Sequence, residues 1–230
     1  MKVVLLAGGL GSRLSEYTKT VPKPMVNIAG KPILFHIMKL YAKYGYKDFY
    51  VALGYKGEVI KKFFNKKKFN WNIHLINTGR KTMTGGRLKR LKKYIGKETF
   101  MMTYGDGLSN VNLKKLLKFH KKNKKLVTLT AVRPTARFGA LKLKGKHVSY
   151  FKEKSKYDEG WINGGFFVME PDFLKYIKND KTYLEREPLE KVAKNKQLTA
   201  FRYDGFWQCM DTKRDKDTLH KILIKTKNKF

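Results

Sequence analysis

The sequence predicts an α/β fold in which a mostly parallel sheet is flanked by helices and carries a smaller added sheet. Three observations support this: short apolar runs suited to buried strands, segments of helical period alternating with them, and a glycine-rich turn closing the first run. Lys2 to Leu6 holds two Val and two Leu and stops at glycine, which reads as a buried parallel strand. Asp48 to Leu53, Ile73 to Asn77, Phe100 to Tyr104 and Leu126 to Val132 repeat that character. Helical spacing fills the intervals at Pro32 to Tyr44, Lys56 to Phe64, Gly86 to Tyr94 and Asn112 to Lys122. In such a sheet, ligands sit beyond the carboxyl ends of the strands. After Val132 the pieces shorten, with strand-like runs at Tyr150 to Lys152 and Gly165 to Glu170 and helices at Pro188 to Asn195 and Arg214 to Ile224. These are expected to add to the sheet and wall one side of the site.

With 230 residues, 42% of them hydrophobic, the chain has apolar material for one sizeable core. No Ser/Gly linker, repeat or low-complexity block divides it, so one domain spanning residues 1–230 is expected. The net charge of +34 comes from 52 Lys+Arg against 18 Asp+Glu, and only nine of the basic residues are Arg. Such a field attracts nucleic acid, anionic membrane and phosphorylated metabolites alike. No RNP, helix-turn-helix or zinc pattern accompanies it, so no specific nucleic-acid partner is expected. The runs at Lys66 to Lys68 and Lys121 to Lys125 read as solvated surface, and the tail from Lys225 to Phe230 is expected to fray. Met1 to Ala7 is too short for a signal segment and no apolar stretch reaches spanning length, which predicts a cytoplasmic protein without membrane insertion. Cys209 stands alone, which excludes an internal disulfide and a thiolate metal cluster.

The chemistry begins at "AGGLGSRL", residues 7 to 14, where a strand runs through glycines into a helical pattern. In that arrangement backbone N–H groups and a helix N-terminus face an anion. The turn is a poor dinucleotide fingerprint, because Leu14 replaces the third glycine, and it lacks the Gly-Lys-Ser/Thr ending of a P-loop. It offers Arg13 instead, a planar cation able to take a phosphate by two hydrogen bonds, which favours a triphosphate. Further on, Pro22 and Pro24 bracket Lys23 and restrict its backbone, although a plain surface lysine in a proline turn would look the same.

Gly8-Gly9-Leu10-Gly11-Ser12-Arg13-Leu14 followed by Pro22-Lys23-Pro24-Met25 resembles the signature of sugar-phosphate nucleotidyltransferases. "NTGRKTMTGGRLKR" from Asn77, "MTYGDG" from Met102, "RFGAL" from Arg137, "WINGGFFV" from Trp161, "EREPLE" from Glu185 and "DGFWQCMDT" from Asp204 extend it. Together they resemble the glucose-1-phosphate cytidylyltransferase branch across nearly the whole chain. The resemblance implies a Rossmann-like fold of the nucleotide-diphospho-sugar transferase type. It also implies a Mg²⁺-dependent reaction between CTP and α-D-glucose 1-phosphate that yields CDP-glucose and pyrophosphate, and it allows a homo-oligomer. One departure stands out: where that branch carries a long insertion, only "NKKKFNWN", residues 65 to 72, joins the helix to the next strand. A UTP or dTTP donor, or another phosphorylated acceptor, therefore stays open as an alternative.

Carried onto this sequence, the resemblance makes Asp106 and Asp211 the metal ligands, whereas alone Asp106 suits a turn or cap and Asp211 an N-cap. Arg13 falls to the β- and γ-phosphates, and Lys23 to the α-phosphate and the bridging oxygen. Leu6, Ala7, Gly8, Gly9, Gly11, Ser12 and Gly105 line the nucleotide. Thr84, Gly85 and Arg87 supply donors to base and ribose, with Thr84 also readable as a helix N-cap. Lys154 takes the sugar phosphate, although Ser155 replaces the family's proline, and Asn163, Gly164 and Glu187 face the hexose. Trp161 and Trp207 suit either a ligand face or the core, and the histidines show no ligand spacing.

Overall fold

The structure, a computed structural model, describes residues 1–66, 68–134, 139–153 and 160–226. Seven strands form the main sheet: β1 (Lys2–Leu6), β2 (Asp48–Leu53), β3 (Asn72–Asn77), β4 (Phe100–Tyr104), β5 (Val127–Val132), β6 (Ile162–Met169) and β7 (Leu198–Tyr203). Their spatial order is β7-β5-β6-β4-β1-β2-β3. All neighbours pair parallel except β6, which runs antiparallel between β4 and β5.

Six longer helices cover the sheet: α1 (Ile33–Lys43), α2 (Gly57–Asn65), α3 (Thr84–Arg90), α4 (Leu113–Asn123), α5 (Glu187–Lys194) and α6 (Lys213–Lys225). Successive strand residues point to opposite faces, so Val3 and Leu5 join one core and Val4 and Leu6 the other. The first core is closed by Ile37 of α1, Ile60 of α2, Leu116 of α4 and Leu219 of α6. The second is closed by Leu88 of α3, Phe173 of a 3-10 turn and Val192 of α5. No helix among the described residues is long and apolar enough to cross a membrane.

Three local readings change. Gly165 to Glu170, expected as an addition to the sheet, is inserted within it: Gly165 to Met169 belong to β6, between β4 and β5, with Phe166 to Met169 wholly buried. A strand sandwiched by both cores must be apolar on both faces, and the run "GGFFVM" meets that demand. The helix expected after the glycine turn shrinks to a 3-10 turn at Ser12–Leu14 and a single turn at Ser15–Thr18. Thr18, Thr20 and Val21 followed by two prolines leave it no room to propagate. β7 is an unforeseen strand, parallel to β5 at the sheet edge, where its half-buried residues mix polar and apolar side chains. The fraying expected of the tail falls on residues outside those described beyond Thr226, while α6 holds through Lys225.

The short link after α2 is closed by packing. Phe69 and Trp71 stack with ring centres 5.1 Å apart, Phe35 lies 5.5 Å from Trp71, and Phe64 lies 5.6 Å from Phe69.

Topology places the site. The chain leaves β1 outward to β2 and β3, then returns to β4 on the other side of β1, so the connections after β1 and β4 diverge and open a crevice. Leu6 leads into the glycine turn and Tyr104 into Gly105-Asp106 at that crevice. The central position of β6 is open to a stability test. Phe166→Ala is expected to cost roughly 3–5 kcal/mol in urea unfolding, whereas a loss below about 1 kcal/mol would fit only a peripheral strand.

Candidate active site

Beyond β1 the chain makes one more sheet-like bond, from Ala7 N–H to the Ala52 carbonyl at 3.1 Å, and then turns. Gly11 adopts a left-handed conformation with φ 65°, and a Cβ there would press on Lys23 and Thr18. Among the described residues the N–H groups of Gly8, Gly9, Leu10 and Gly11 have no acceptor. Gly8, Gly9 and Gly11 border a cavity of about 470 Å³ with Arg13, Lys23, Thr82, Thr84, Tyr104, Asp106, Glu185 and Asp211.

At one end of this cavity a single ammonium joins two carboxylates. Lys23 Nζ donates to Asp106 Oδ2 at 2.7 Å and to Asp211 Oδ1 at 2.5 Å, and Arg13 Nη1 donates to Asp211 Oδ2 at 2.9 Å. Asp106 follows β4 and Asp211 follows the short strand Trp207–Cys209. They converge because Trp207–Cys209 pairs antiparallel with Gly107–Ser109 and Met210 N–H donates to the Asp106 carbonyl at 2.9 Å. Asp211 does not cap the following helix. Thr212 caps α6 in a reciprocal pair with Asp215, and Asp215 Oδ2 also accepts the Asp211 N–H at 3.1 Å.

Burial works against the charges of Lys23 and Asp211, and the opposite charges outweigh it. Lys23 is buried, yet Asp106 and Asp211 raise its pKa above the ordinary lysine value. Burial would raise the carboxyl of Asp211, but Lys23 and Arg13 hold it below the ordinary value. Burial, then the nearby aspartates, push the Cys209 thiol up to about 11, so it stays protonated at neutral pH and offers no nucleophile. Two hard carboxylate oxygens on one point, open to a cavity, form a donor set suited to a divalent cation. Among the described residues no group of three or more His, Cys, Asp and Glu is arranged to hold one, so water or ligand oxygens would complete its shell.

A second cavity of about 320 Å³ opens on the far side of the same carboxylates. It shares Arg13, Tyr104, Asp106 and Asp211 with the first and adds Asn163, Gly164 and Trp207. Asn163 Oδ1 accepts the Gly165 N–H at 2.9 Å, and Trp207 Nε1 donates to the Gly164 carbonyl at 2.7 Å. Trp207 is thus a cavity wall, whereas Trp161 sits under the guanidinium of Arg133 at 4.6 Å.

Most of the residues expected at a nucleotide line the first cavity, but two of the expected donors, Arg87 and Gly85, are engaged by the protein itself. Arg87, 3% exposed, spends its guanidinium on the protein: Nη1 donates to Leu53 O, Thr78 Oγ1 and Gly79 O at 2.7–3.1 Å, and Nη2 to Gly8 O at 2.8 Å. A Cβ on Gly8 would collide with that guanidinium, so this glycine makes room for Arg87 beneath the turn. Gly85 N–H is bonded to Thr182 O at 3.0 Å. Glu187 lies in the first turn of α5, away from both cavities, and bonds from Lys178 and Lys191 hold its carboxyl down to about 2. Lys154 and, from the "RFGAL" motif, Arg137 and Phe138 lie outside the described residues.

Sequence reasoning missed Glu185, Tyr104, Thr82 and Tyr183, all bordering the first cavity. The signal for Glu185 was present: Pro188 belongs in a first helical turn, so Glu187 is committed to α5 and Glu185 precedes it. Thr84 does not cap α3; its hydroxyl donates to Glu185 Oε2 at 2.7 Å and accepts the Leu184 N–H at 2.9 Å.

A family model described as nucleotidyl transferase matches residues 2–209. The chain is 47% identical to the glucose-1-phosphate cytidylyltransferase of Salmonella typhimurium over 250 residues, covering 99% of this chain and 97% of the relative. That aligned length exceeds the 230 residues of this chain, so the relative carries residues this chain lacks. A Bacillus subtilis protein named "Probable glucose-1-phosphate cytidylyltransferase" is 42% identical over 234 residues, 92% of each chain. Among solved structures, HddC from Yersinia pseudotuberculosis complexed with GMP-PN superposes with a TM-score of 0.78 at 27% identity, covering 96% of this chain and 99% of that one.

The placement of Arg87 predicts a stability effect. Arg87→Ala would leave the Gly79 carbonyl without its donor and take one donor from those of Gly8 and Leu53, and is expected to destabilise the fold by roughly 3 kcal/mol in chemical denaturation. An unchanged denaturation midpoint would mean that the guanidinium is not needed beneath the turn.

Proposed function

The chain belongs to the nucleotidyl transferase family, and on that premise we propose that it transfers the cytidylyl group of CTP to α-D-glucose 1-phosphate, giving CDP-glucose and pyrophosphate. The observation that carries this reading is one ammonium bridging two carboxylates where two cavities meet. The first cavity suits the nucleoside triphosphate and the second the phosphorylated hexose, so the reacting phosphates come together beside Lys23, Asp106 and Asp211.

An oxygen of the sugar phosphate attacks the α-phosphorus. The new P–O bond forms as the bond to the bridging oxygen breaks, and pyrophosphate leaves with that electron pair. No general base is needed, because a phosphate monoester has a second pKa of about 6 and is largely dianionic at neutral pH. The task is charge neutralisation between anions. The open N–H groups of Gly8 to Gly11 and the exposed guanidinium of Arg13 receive the β- and γ-phosphates. Lys23 faces the α-phosphate and the bridging oxygen, where charge grows as the bond breaks. Asp106 and Asp211 would hold Mg²⁺, which supplies further neutralisation of the phosphates when bound. With the carboxylates so engaged, the Lys23 ammonium would be released from them and could face the phosphate. Asn163 and the Gly164 backbone offer hydrogen-bonding groups to the hexose, and Lys154 is assigned to its phosphate by resemblance.

Pyrophosphate release with glucose 1-phosphate and each of CTP, UTP, dTTP and GTP tests the reading: turnover should be highest with CTP and vanish on chelation. Equal turnover of UTP and CTP would defeat the cytidylyl assignment. Lys23→Ala and Arg13→Ala should each lower kcat by about two to three powers of ten. Glu187→Gln, altering a carboxylate outside both cavities, should leave kcat and both KM values within about twofold of wild type, by the same reasoning that makes exposed ion pairs worth little.

A further inference from the structure

The reaction as described leaves Glu185, a carboxylate bordering the nucleotide cavity, without a role. It lies in the loop before α5 and is held from two directions: the Tyr104 hydroxyl donates to Oε1 at 2.7 Å and the Thr84 hydroxyl to Oε2 at 2.7 Å. Tyr104 comes from the end of β4 and Thr84 from the start of α3, two elements of the sheet-and-helix frame. Burial, then Glu185 itself, keep the Tyr104 phenol well above its ordinary pKa, so it remains a donor. Among the described residues Glu185 enters no salt bridge, although the chain has 52 Lys+Arg, whereas Asp106 and Asp211 are neutralised by Lys23 and Arg13.

The lining of this cavity is therefore of two kinds. The glycine turn, Arg13 and Lys23 present donors and positive charge. Thr82, Thr84 and Glu185 present hydroxyls and an anion. An ionised carboxylate only accepts hydrogen bonds. It repels phosphate, so the ligand group that reaches it must be a neutral donor. The pyrimidine bases differ at that requirement: cytosine carries an exocyclic amino group where thymine and uracil carry a carbonyl oxygen.

We propose that Glu185, fixed by Tyr104 and Thr84, selects CTP by accepting a hydrogen bond from the amino group of cytosine and opposes UTP and dTTP by facing their carbonyl oxygen. This rests on the cytidylyl reading above. Two hydroxyl donors leave each carboxylate oxygen a further lone pair for the base, and they remove the rotational freedom that would let the side chain swing away. The discrimination is one of paired against unpaired groups: uracil would set two acceptors against each other.

The test is the ratio of kcat/KM for CTP to that for UTP, measured with saturating glucose 1-phosphate in wild type and in Glu185→Gln. A glutamine amide accepts from cytosine through its oxygen or donates to uracil through its nitrogen. The CTP/UTP ratio is expected to fall about 10- to 100-fold, with a gain for UTP and an unchanged KM for glucose 1-phosphate. Glu185→Asp, which keeps the charge but withdraws it, should lose CTP turnover without gaining UTP turnover. Equal losses for both nucleotides in Glu185→Gln would mean that the residue only anchors Tyr104, and a change confined to the KM for glucose 1-phosphate would place it at the hexose; either result overturns the proposal. The wild-type ratio alone judges the cytidylyl reading, and the change in ratio judges Glu185, so the two failures are distinguishable.

Discussion

Two carboxylates cannot both stay ionised within a few ångströms of half-buried space unless a cation sits between them, and the site is organised around that constraint. Like charges at 4 Å repel by about 4 kcal/mol at the effective dielectric of a protein surface. Here the Lys23 ammonium meets both at hydrogen-bond distance and its own side chain is only 12% exposed. The surrounding fold converges on this cluster. Prolines fix the backbone around Lys23, the Met210 N–H fastens to the Asp106 carbonyl, and Asp215 holds the Asp211 N–H while completing the cap of α6. A monovalent charge holds the place of a cation and keeps the two loops in register. Under the proposed reading, the geometry that would receive a divalent ion is already built into the folded chain.

The two arginines at the cavity have opposite fates, and burial separates them. Arg13 keeps a side chain 77% exposed and makes one ion pair. Arg87, deep beneath the turn, is surrounded by carbonyls, and burial then the nearby Arg90 lower its pKa. Exposed guanidinium is available to a polyanionic ligand. Buried guanidinium with its donors engaged is a brace, here tying the Gly8 carbonyl to the ends of β2 and β3. The brace also orients the first peptide of the turn: the Gly8 carbonyl is engaged by Arg87 and the Tyr55 N–H, which leaves the Gly9 N–H on the opposite edge of that peptide.

Sheet strands were legible wherever an apolar run ended abruptly at a glycine or polar turn, as in Lys2–Leu6, Asp48–Leu53 and Phe100–Tyr104, whose bounds match the expectation. Leu198–Tyr203 was not legible, because an edge strand buries only part of its surface and its arginine and threonine dilute the apolar signal. The rank of Gly165–Glu170 within the sheet was hidden for another reason. Nothing in a short apolar run says which neighbours it will have, and only the crossing back over β4 makes it central. At the site, glycines and prolines announced the loops, because backbone constraints are local. Which donors stay free is decided by tertiary neighbours. Arg87 and Glu185 are two such cases, one expected at the ligand and found as a brace, the other unnoticed and found at the cavity.

That contrast bears on how a chain with so large a positive charge achieves selectivity. A surface rich in lysine raises the local concentration of every anion, so it favours any nucleotide or sugar phosphate without distinguishing among them. Cations near the cavity inherit this lack of discrimination, since all nucleoside triphosphates share the same phosphates. The informative groups are the few negative ones that the fold keeps at the cavity against its own field. Asp106 and Asp211 are held there by Lys23 and Arg13, and Glu185 by neutral hydroxyls alone. A carboxylate that accepts only from neutral donors retains its full charge for whatever approaches, and that charge is what separates an amino group from a carbonyl oxygen on otherwise similar bases. Attraction thus comes from the many lysines, while recognition falls to the rare acids.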